Sequence, residues 1–433
     1  MNRSRTSLAV AFVAIVATAL PFAEGIFKNG LLEVALLLPV AWLVLASRTR
    51  EYALRSVLVL ISLCFALTLV DLILRPVMGN RLHYSPMNLH QRRLPGLPML
   101  GRWDAGVNFS GETYGDLAAM TGMPSYREPR HVEFRTDSKG FRNDLLGPPL
   151  TAIALGDSFT AGVGVTQAKT WASVLGRQLE WSIYNLAYPG GPYEQYLNFS
   201  IESRDLPLTP GMHLIWTLYT GNDLDDTGGD TWDLDALPWQ KGLSAELVNY
   251  RTFRSRSPLR QAWDSIRSRW SGISNDVVVR SLPDGRTILF YGPQEVWGLR
   301  GRAEVERHPN FAKLQTTLRA MNETVARLGI RTTIIILPTK GEVYRWVLNP
   351  DSPEGPTSSG FTEAVLAVCR RMSLSCLDSR AYLESEAKRL FHRSQELLWW
   401  RDDTHLNDLG HEVLAAFVMR AVAGGSPTPG GQP

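Results

Sequence analysis

The stretch Thr151-Ala152-Ile153-Ala154-Leu155-Gly156-Asp157-Ser158-Phe159-Thr160-Ala161-Gly162 decides how this chain is read. Thr151 to Leu155 is an apolar run of strand length, and Gly156 permits the sharp reversal that would carry it into a helix. Ser158 then falls on a strand-to-helix turn, near backbone N–H groups that face negative charge. A serine hydroxyl is a poor nucleophile at neutral pH unless a base takes its proton. The distant segment Asp402-Asp403-Thr404-His405-Leu406-Asn407 offers an imidazole and two carboxylates, just before the last amphipathic helix. Both segments also have a purely structural reading, in which Asp157 caps one helix, Asn407 caps another and His405 packs beside it.

Outward from the serine turn, short apolar runs alternate with helical patterns. Strands are expected at Thr151–Leu155, Trp181–Asn185, His213–Leu218, Arg331–Leu337 and Ser375–Leu377, and helices at Thr170–Glu180, Glu194–Glu202, Phe311–Leu328, Thr362–Arg371 and Asp408–Val422. That alternation predicts an α/β fold with a parallel sheet covered by helices on both faces. The interval Leu224–Asn310 is too long for a connection and reads as an insertion. It opens with Asp223, Asp225, Asp226, Asp230, Asp233 and Asp235, then turns basic and aromatic through Arg251, Phe253, Arg254 and Trp263. The aspartates lack the spacing of a calcium loop and read as a solvated stretch. Residues 76–150, rich in Pro, Gly and Arg, read as linker and peripheral structure with one strand at His131–Phe134, and 423–433 as a disordered tail.

Residues 1–75 carry three apolar stretches, about 7–23, 30–47 and 56–74, each close to the roughly 20 residues that cross a bilayer as helix. Arg3 and Arg5 precede the first, while Arg48, Arg50 and Arg55 separate the second from the third. The positive-inside rule then leaves everything after Arg75 extracytoplasmic. A signal peptide over the first stretch is the rival reading, and it exports the same part. Glu33 and Asp71, ionisable groups within these stretches, either seek membrane-protein partners or sit near a span end. The formal charge of +3 over 433 residues is small and scattered, so no nucleic-acid partner is expected. Cys369 and Cys376 are either a disulfide of an oxidising compartment or two reduced, buried thiols; their number and spacing do not make a metal site.

The block Gly156-Asp157-Ser158-Phe159-Thr160-Ala161-Gly162 resembles the first block of the SGNH (GDSL) hydrolase superfamily, and three further blocks follow in order. The resemblance spans Thr151–Val422 without the insertion and implies a flavodoxin-like three-layer sandwich with a parallel central sheet. Gly190, in Asn185-Leu186-Ala187-Tyr188-Pro189-Gly190-Gly191, is similar to the second-block glycine whose N–H points at the oxyanion. Asn222, in Thr220-Gly221-Asn222-Asp223, is similar to the third-block asparagine, although Thr220 stands where that block has glycine. His405 is similar to the catalytic histidine. Asp402 matches the usual Asp-x-x-His spacing and Asp403 the Asp-x-His spacing of membrane-linked and alginate-acetylation relatives. Leu337-Pro338-Thr339-Lys340, leading to Tyr344, resembles a segment of membrane-anchored members.

The resemblance implies a membrane-anchored extracytoplasmic serine esterase with Ser158 as nucleophile, His405 as base, Asp403 or Asp402 as its orienter, and an oxyanion hole of Ser158 N–H, Gly190 N–H and Asn222. It implies no cofactor and no metal, and an acylated small molecule or glycan as substrate. Transfer of the acyl group to a polysaccharide and a non-catalytic glycan- or partner-binding role are the alternatives. Lys340 is expected as a solvated lysine and Tyr344 as a packed tyrosine, with a place near the pocket at the strand's outgoing end as the rival, and Trp399 and Trp400 as core residues with sugar stacking as the rival.

Overall fold

The computed structural model describes residues 84–94, 97–144, 149–227, 257–259, 274–352 and 358–423, together with 62, 65–67 and 69–74. The chain divides into two compact units, residues 1–83 with 253–263, and 84–252 with 264–433.

In the second unit the strands are β1 (Gln91–Leu94), β2 (Leu97–Trp103), β3 (Asn108–Thr113), β4 (Arg130–Arg135), β5 (Ala152–Leu155), β6 (Ile183–Asn185), β7 (His213–Tyr219), β8 (Val277–Ser281), β9 (Thr287–Tyr291), β10 (Arg331–Leu337) and β11 (Ser375–Asp378). Five of them form one sheet in the order β11-β10-β7-β5-β6, with every pairing parallel. In chain order this is the 2-1-3-4-5 arrangement of flavodoxin-like folds, with its topological switch between β5 and β7. Successive residues of a strand face opposite ways. Ala152, Ala154, Ile215 and Ile335 accordingly pack under helices Trp171–Leu179, Arg380–Ser394 and Asp408–Val422, while Ile153, Leu214, Trp216 and Ile336 pack under Pro192–Glu202, Phe311–Arg327 and Gly360–Met372. The expected three-layer sandwich is present. Helix Arg380–Ser394 has no counterpart among the expected elements, because its polar, charge-rich sequence leaves only a narrow apolar stripe.

Residues 84–144, expected as linker and periphery, are folded against the sheet. They form the antiparallel pairs β1–β2 and β3–β4 and the helix Asp116–Thr121. Short hairpins joined by turns leave little periodicity to read, which explains the difference. The insertion contributes a third hairpin, β8–β9, where Val277 and Leu289 bury Leu117 between them. Of the Asp-rich run, Asp223, Asp225 and Asp226 lie in the short helix Asp223–Thr227; the basic and aromatic part and the C-terminal tail lie outside the described residues. Cys369 and Cys376 are joined as a disulfide with a Cα–Cα separation of 6.1 Å, tying the last turn of helix Gly360–Met372 to β11.

In the first unit, residues 65–67 and 69–74 are helical and expose Phe65, Leu69, Leu72 and Ile73, while Asp71 is buried and accepts hydrogen bonds from Ser257 Oγ (2.6 Å) and Leu259 N (3.3 Å). The first two expected spans lie outside the described residues and the third is described only in part. Among the described residues no helix is long and apolar enough to cross a membrane.

Candidate active site

Parallel strands of an open α/β sheet present their carboxyl ends to one crevice. The loop after β5 carries Ser158, the loop after β6 carries Gly190, and the loop after β7 carries Asn222. Gly156 is required by space as well as by its φ of +158°: a Cβ there would lie 2.2 Å from Thr217 Oγ1 and 2.5 Å from Thr160 Oγ1. Asp157 accepts from Phe159 N (3.0 Å), so it caps the short helix that starts at Ser158.

Ser158 Oγ and His405 Nε2 are 2.8 Å apart although 247 positions separate them. On the other side of the ring, His405 Nδ1 lies 2.7 Å from Asp403 Oδ1. Asp403, and not Asp402, is therefore the carboxylate that orients the imidazole. Burial works against ionising Asp403, but the charge and hydrogen bond of His405, with Arg130 on its other oxygen, hold its carboxyl well below the usual range. Burial alone would likewise lower the imidazole; the hydrogen bond and charge of Asp403, helped by Asp116, lift it above its ordinary value. A base of raised basicity with its second nitrogen fixed by a carboxylate is the arrangement that abstracts a hydroxyl proton.

Asp402 has a different task. Fully buried, it accepts from Gly115 N (2.7 Å), Glu128 N (2.8 Å) and Arg130 Nη1 (2.8 Å). It thus pins residues 115–130 to the histidine loop, where Arg130 spans both aspartates and lies 4.4 Å over the Trp400 ring. Gly115 passes so close that a Cβ would fall 1.8 Å from Asp402 O.

A third carboxylate, unforeseen in the sequence, completes the site. Asp116 accepts from Thr404 N (3.0 Å) and Thr404 Oγ1 (2.7 Å), and Thr404 Oγ1 lies 3.2 Å from His405 Nδ1. The threonine proton is committed to Asp116, so its lone pair faces the imidazole N–H that Asp403 also accepts. Burial and the neighbouring charge of Asp403 push Asp116 up to about 7. Ligand atoms of Asp116, Asp403 and His405 lie within 4.8 Å of one another, a spacing that could hold a metal ion. A cation there would have to break the His405–Asp403 hydrogen bond, so the donor set fits proton transfer better than coordination.

Lys340, expected in solvent, is buried. Its Nζ donates to Leu289 O (2.7 Å), Trp400 O (2.7 Å) and Asp403 O (3.0 Å), with Arg401 O at 3.3 Å, and burial lowers its pKa to about 8. The carbonyls of a tight loop need donors, and an ammonium supplies three. Tyr344 is buried as expected and its hydroxyl accepts from Leu398 N (2.7 Å). Trp399 is a core residue, while Trp400 stacks on Arg130 and not in the core.

The cleft over Ser158, about 180 Å³, is walled by residues 84–91 and 113–116 facing Pro189 and His405. Gly190 and Asn222 are not among the residues that line it, although Pro189, next to Gly190, is. Asn222 donates one amide N–H to Asp226 Oδ2 (2.7 Å), and its amide carries a second. The Thr220 departure is accommodated, because the tight position is its neighbour: a Cβ at Gly221 would meet the Tyr219 ring at 2.5 Å, whereas Thr220 is buried with its N–H on Leu337 O. Arg130 and Asp116 were invisible as site residues, since their partners lie 272 and 288 positions away, and Lys340, whose strand-end position admits a place near the pocket, has its partner 63 positions away.

This sheet order and serine–histidine–aspartate geometry define an SGNH-like α/β fold. Residues 297–433 match the family model described as SGNH hydrolase-like domain, acetyltransferase AlgX. That match takes in the histidine loop and supports the SGNH superfamily; the serine turn lies outside it. Among solved structures, the chain is similar to a member of the lipolytic protein G-D-S-L family from Veillonella parvula DSM 2008 (14% identity, 63% of this chain and 97% of that one, TM-score 0.32). It is also similar to the psychrotrophic esterase EstA from Pseudoalteromonas sp. (12%, 64% and 98%, 0.31) and to the acetyl xylan esterase AlAXEase (11%, 63% and 98%, 0.33). At these scores the likenesses carry no argument about function. No curated protein matches the chain in sequence.

Proposed function

We propose that the chain is a membrane-anchored, extracytoplasmic serine enzyme that cleaves short acyl esters, acetyl above all, through an acyl-serine intermediate. The observation that carries this reading is the continuous contact Ser158 Oγ to His405 Nε2 and His405 Nδ1 to Asp403. Ser158 Oγ attacks the ester carbonyl as its proton passes to His405 Nε2, and the oxyanion is met by Ser158 N–H, Gly190 N–H and the second N–H of Asn222. The carbonyl–alkoxy bond then breaks and the leaving alcohol takes the proton from His405. Water, deprotonated by the same imidazole, releases the acyl group and restores the serine.

Resolution by a glycan hydroxyl in place of water is the second reading, and the family model named for an acetyltransferase favours it. The chemistry is identical up to the acyl-enzyme. Export is supported by the Cys369–Cys376 disulfide, which suits an oxidising compartment, and by the arginines flanking the N-terminal apolar stretches.

The test uses the full chain purified in detergent. It is expected to hydrolyse p-nitrophenyl acetate and to take a fluorophosphonate label on Ser158, and Ser158→Ala should abolish both. Activity that survives the substitution removes Ser158 from the mechanism, and a wild-type chain that stays unlabelled leaves the binding-module alternative standing. An acetyl group transferred to a glycan acceptor far faster than to water identifies the transferase.

A further inference from the structure

Resting on that reading, we infer that the group carrying the ester is an uncharged polyhydroxylated glycan and not an acidic one. The wall facing Ser158 and His405 is built from Tyr84, Asn88, Gln91, Thr113, Tyr114 and Asp116. Among the described residues that line the cleft there is no lysine or arginine, and the only carboxylates are Asp116 and Asp403. Amides, hydroxyls and phenol rings at this density match the alternating hydroxyl and C–H faces of a neutral sugar.

Among the described residues, the cations around the cleft are engaged elsewhere. Arg130 is buried with its two arms on Asp402 and Asp403, two negative charges against one positive. Arg127 lies over the Tyr114 ring at 4.4 Å and is not among the lining residues. Lys340 is buried under the loop, with its ammonium on main-chain carbonyls. A carboxylated sugar entering this cleft would meet negative charge without a bidentate arginine to receive it. At an effective dielectric of about 20, one uncompensated carboxylate a few ångströms away disfavours a second anion by roughly tenfold or more.

The experiment compares two esters that differ only in that charge, methyl 3-O-acetyl-glucopyranoside and methyl 3-O-acetyl-glucopyranosiduronate. The full chain is assayed in detergent above pH 7, near which Asp116 ionises. Acetylation of Ser158 is followed by intact mass, so hydrolase and transferase are read alike. The glucoside should acylate the serine at least about tenfold faster, and the gap should shrink as salt is added, because only the charged ester is subject to screening. Gln91→Lys, which puts a cation into the wall of the cleft, should shrink it too. Equal rates, or a preference for the uronate, in a chain that labels with fluorophosphonate overturn this inference and leave the serine mechanism intact. A chain that neither labels nor acylates with either ester loses both.

Discussion

Asp402 and Asp403 are neighbours in sequence with the same side chain, yet one orients a base and the other holds a wall in place. Asp403→Asn keeps the shape and removes the charge that stabilises the imidazolium, so kcat for p-nitrophenyl acetate should fall by about 10⁴-fold. Asp402→Asn leaves the triad contacts but replaces one carboxylate oxygen with an amide NH2, so Arg130 loses a counter-charge and part of the buried donor set loses its acceptor, which should destabilise the fold by about 3 kcal/mol in a thermal melt. If the two variants swap these effects, the assignment is reversed. Asp116 acts through charge. His405 must be neutral to accept the serine proton, and its raised pKa moves the acidic limb of the pH–rate profile above the ordinary 6.5. Asp116→Asn removes one of the anions that favour the protonated ring, so the limb of kcat/KM should shift to lower pH. An unmoved limb would show that Asp116 serves Thr404 alone.

At the scale of elements, the loop 399–407 is held from three directions. Trp399 pairs with Leu406 across its base, Lys340 donates to its carbonyls from the end of β10, and Asp402 ties it to residues 115–130. Lys340→Met keeps the stem and deletes the ammonium, leaving buried carbonyls without a donor. Each such group costs roughly 1–3 kcal/mol, so both stability and turnover should drop together, with the Ser158 label rate falling in parallel. Full turnover in this variant would mean that the loop holds its shape without that clamp. The neighbouring insertion also contributes here, since Leu289 in β9 donates its main-chain N–H to Arg401 O and accepts from Lys340. An isolated lysine after a strand reads as a surface residue, because the carbonyls it serves are assembled only when β9, β10 and the histidine loop meet.

For the molecule as a whole, burial of carboxyls sets a pH dependence of stability. Asp116, Glu295 and Glu342 are raised to about 7, and Asp157 and Asp226 to about 6, chiefly by desolvation. Between their unfolded values near 4 and these folded ones the native state binds more protons, so stability falls as pH rises through that window. His411, lowered to about 3 by burial, and His213, also lowered by burial, act in the opposite sense below their ordinary value, but they are two groups against these five. The thermal midpoint should therefore be higher near pH 5 than near pH 8, measured by circular dichroism at constant salt. A midpoint that climbs across the same interval would mean that these carboxyls ionise in the fold without penalty.

Local patterning was sufficient for the layers. Apolar runs such as Arg331–Leu337 and stripes such as that of Phe311–Arg327 specify their elements through nearest-neighbour chemistry, and the strand–turn–helix at Ser158 and the caps at Asp157 and Asn407 are written within a few residues. The choice between Asp402 and Asp403, the burial of Lys340, the place of Arg130 and Asp116 and the make-up of the cleft wall are not local properties. Each depends on which segments the parallel crossovers bring together across sixty to nearly three hundred positions. A buried charge is tolerated only where a distant partner arrives to meet it, and that partner is known only once the chain has closed on itself.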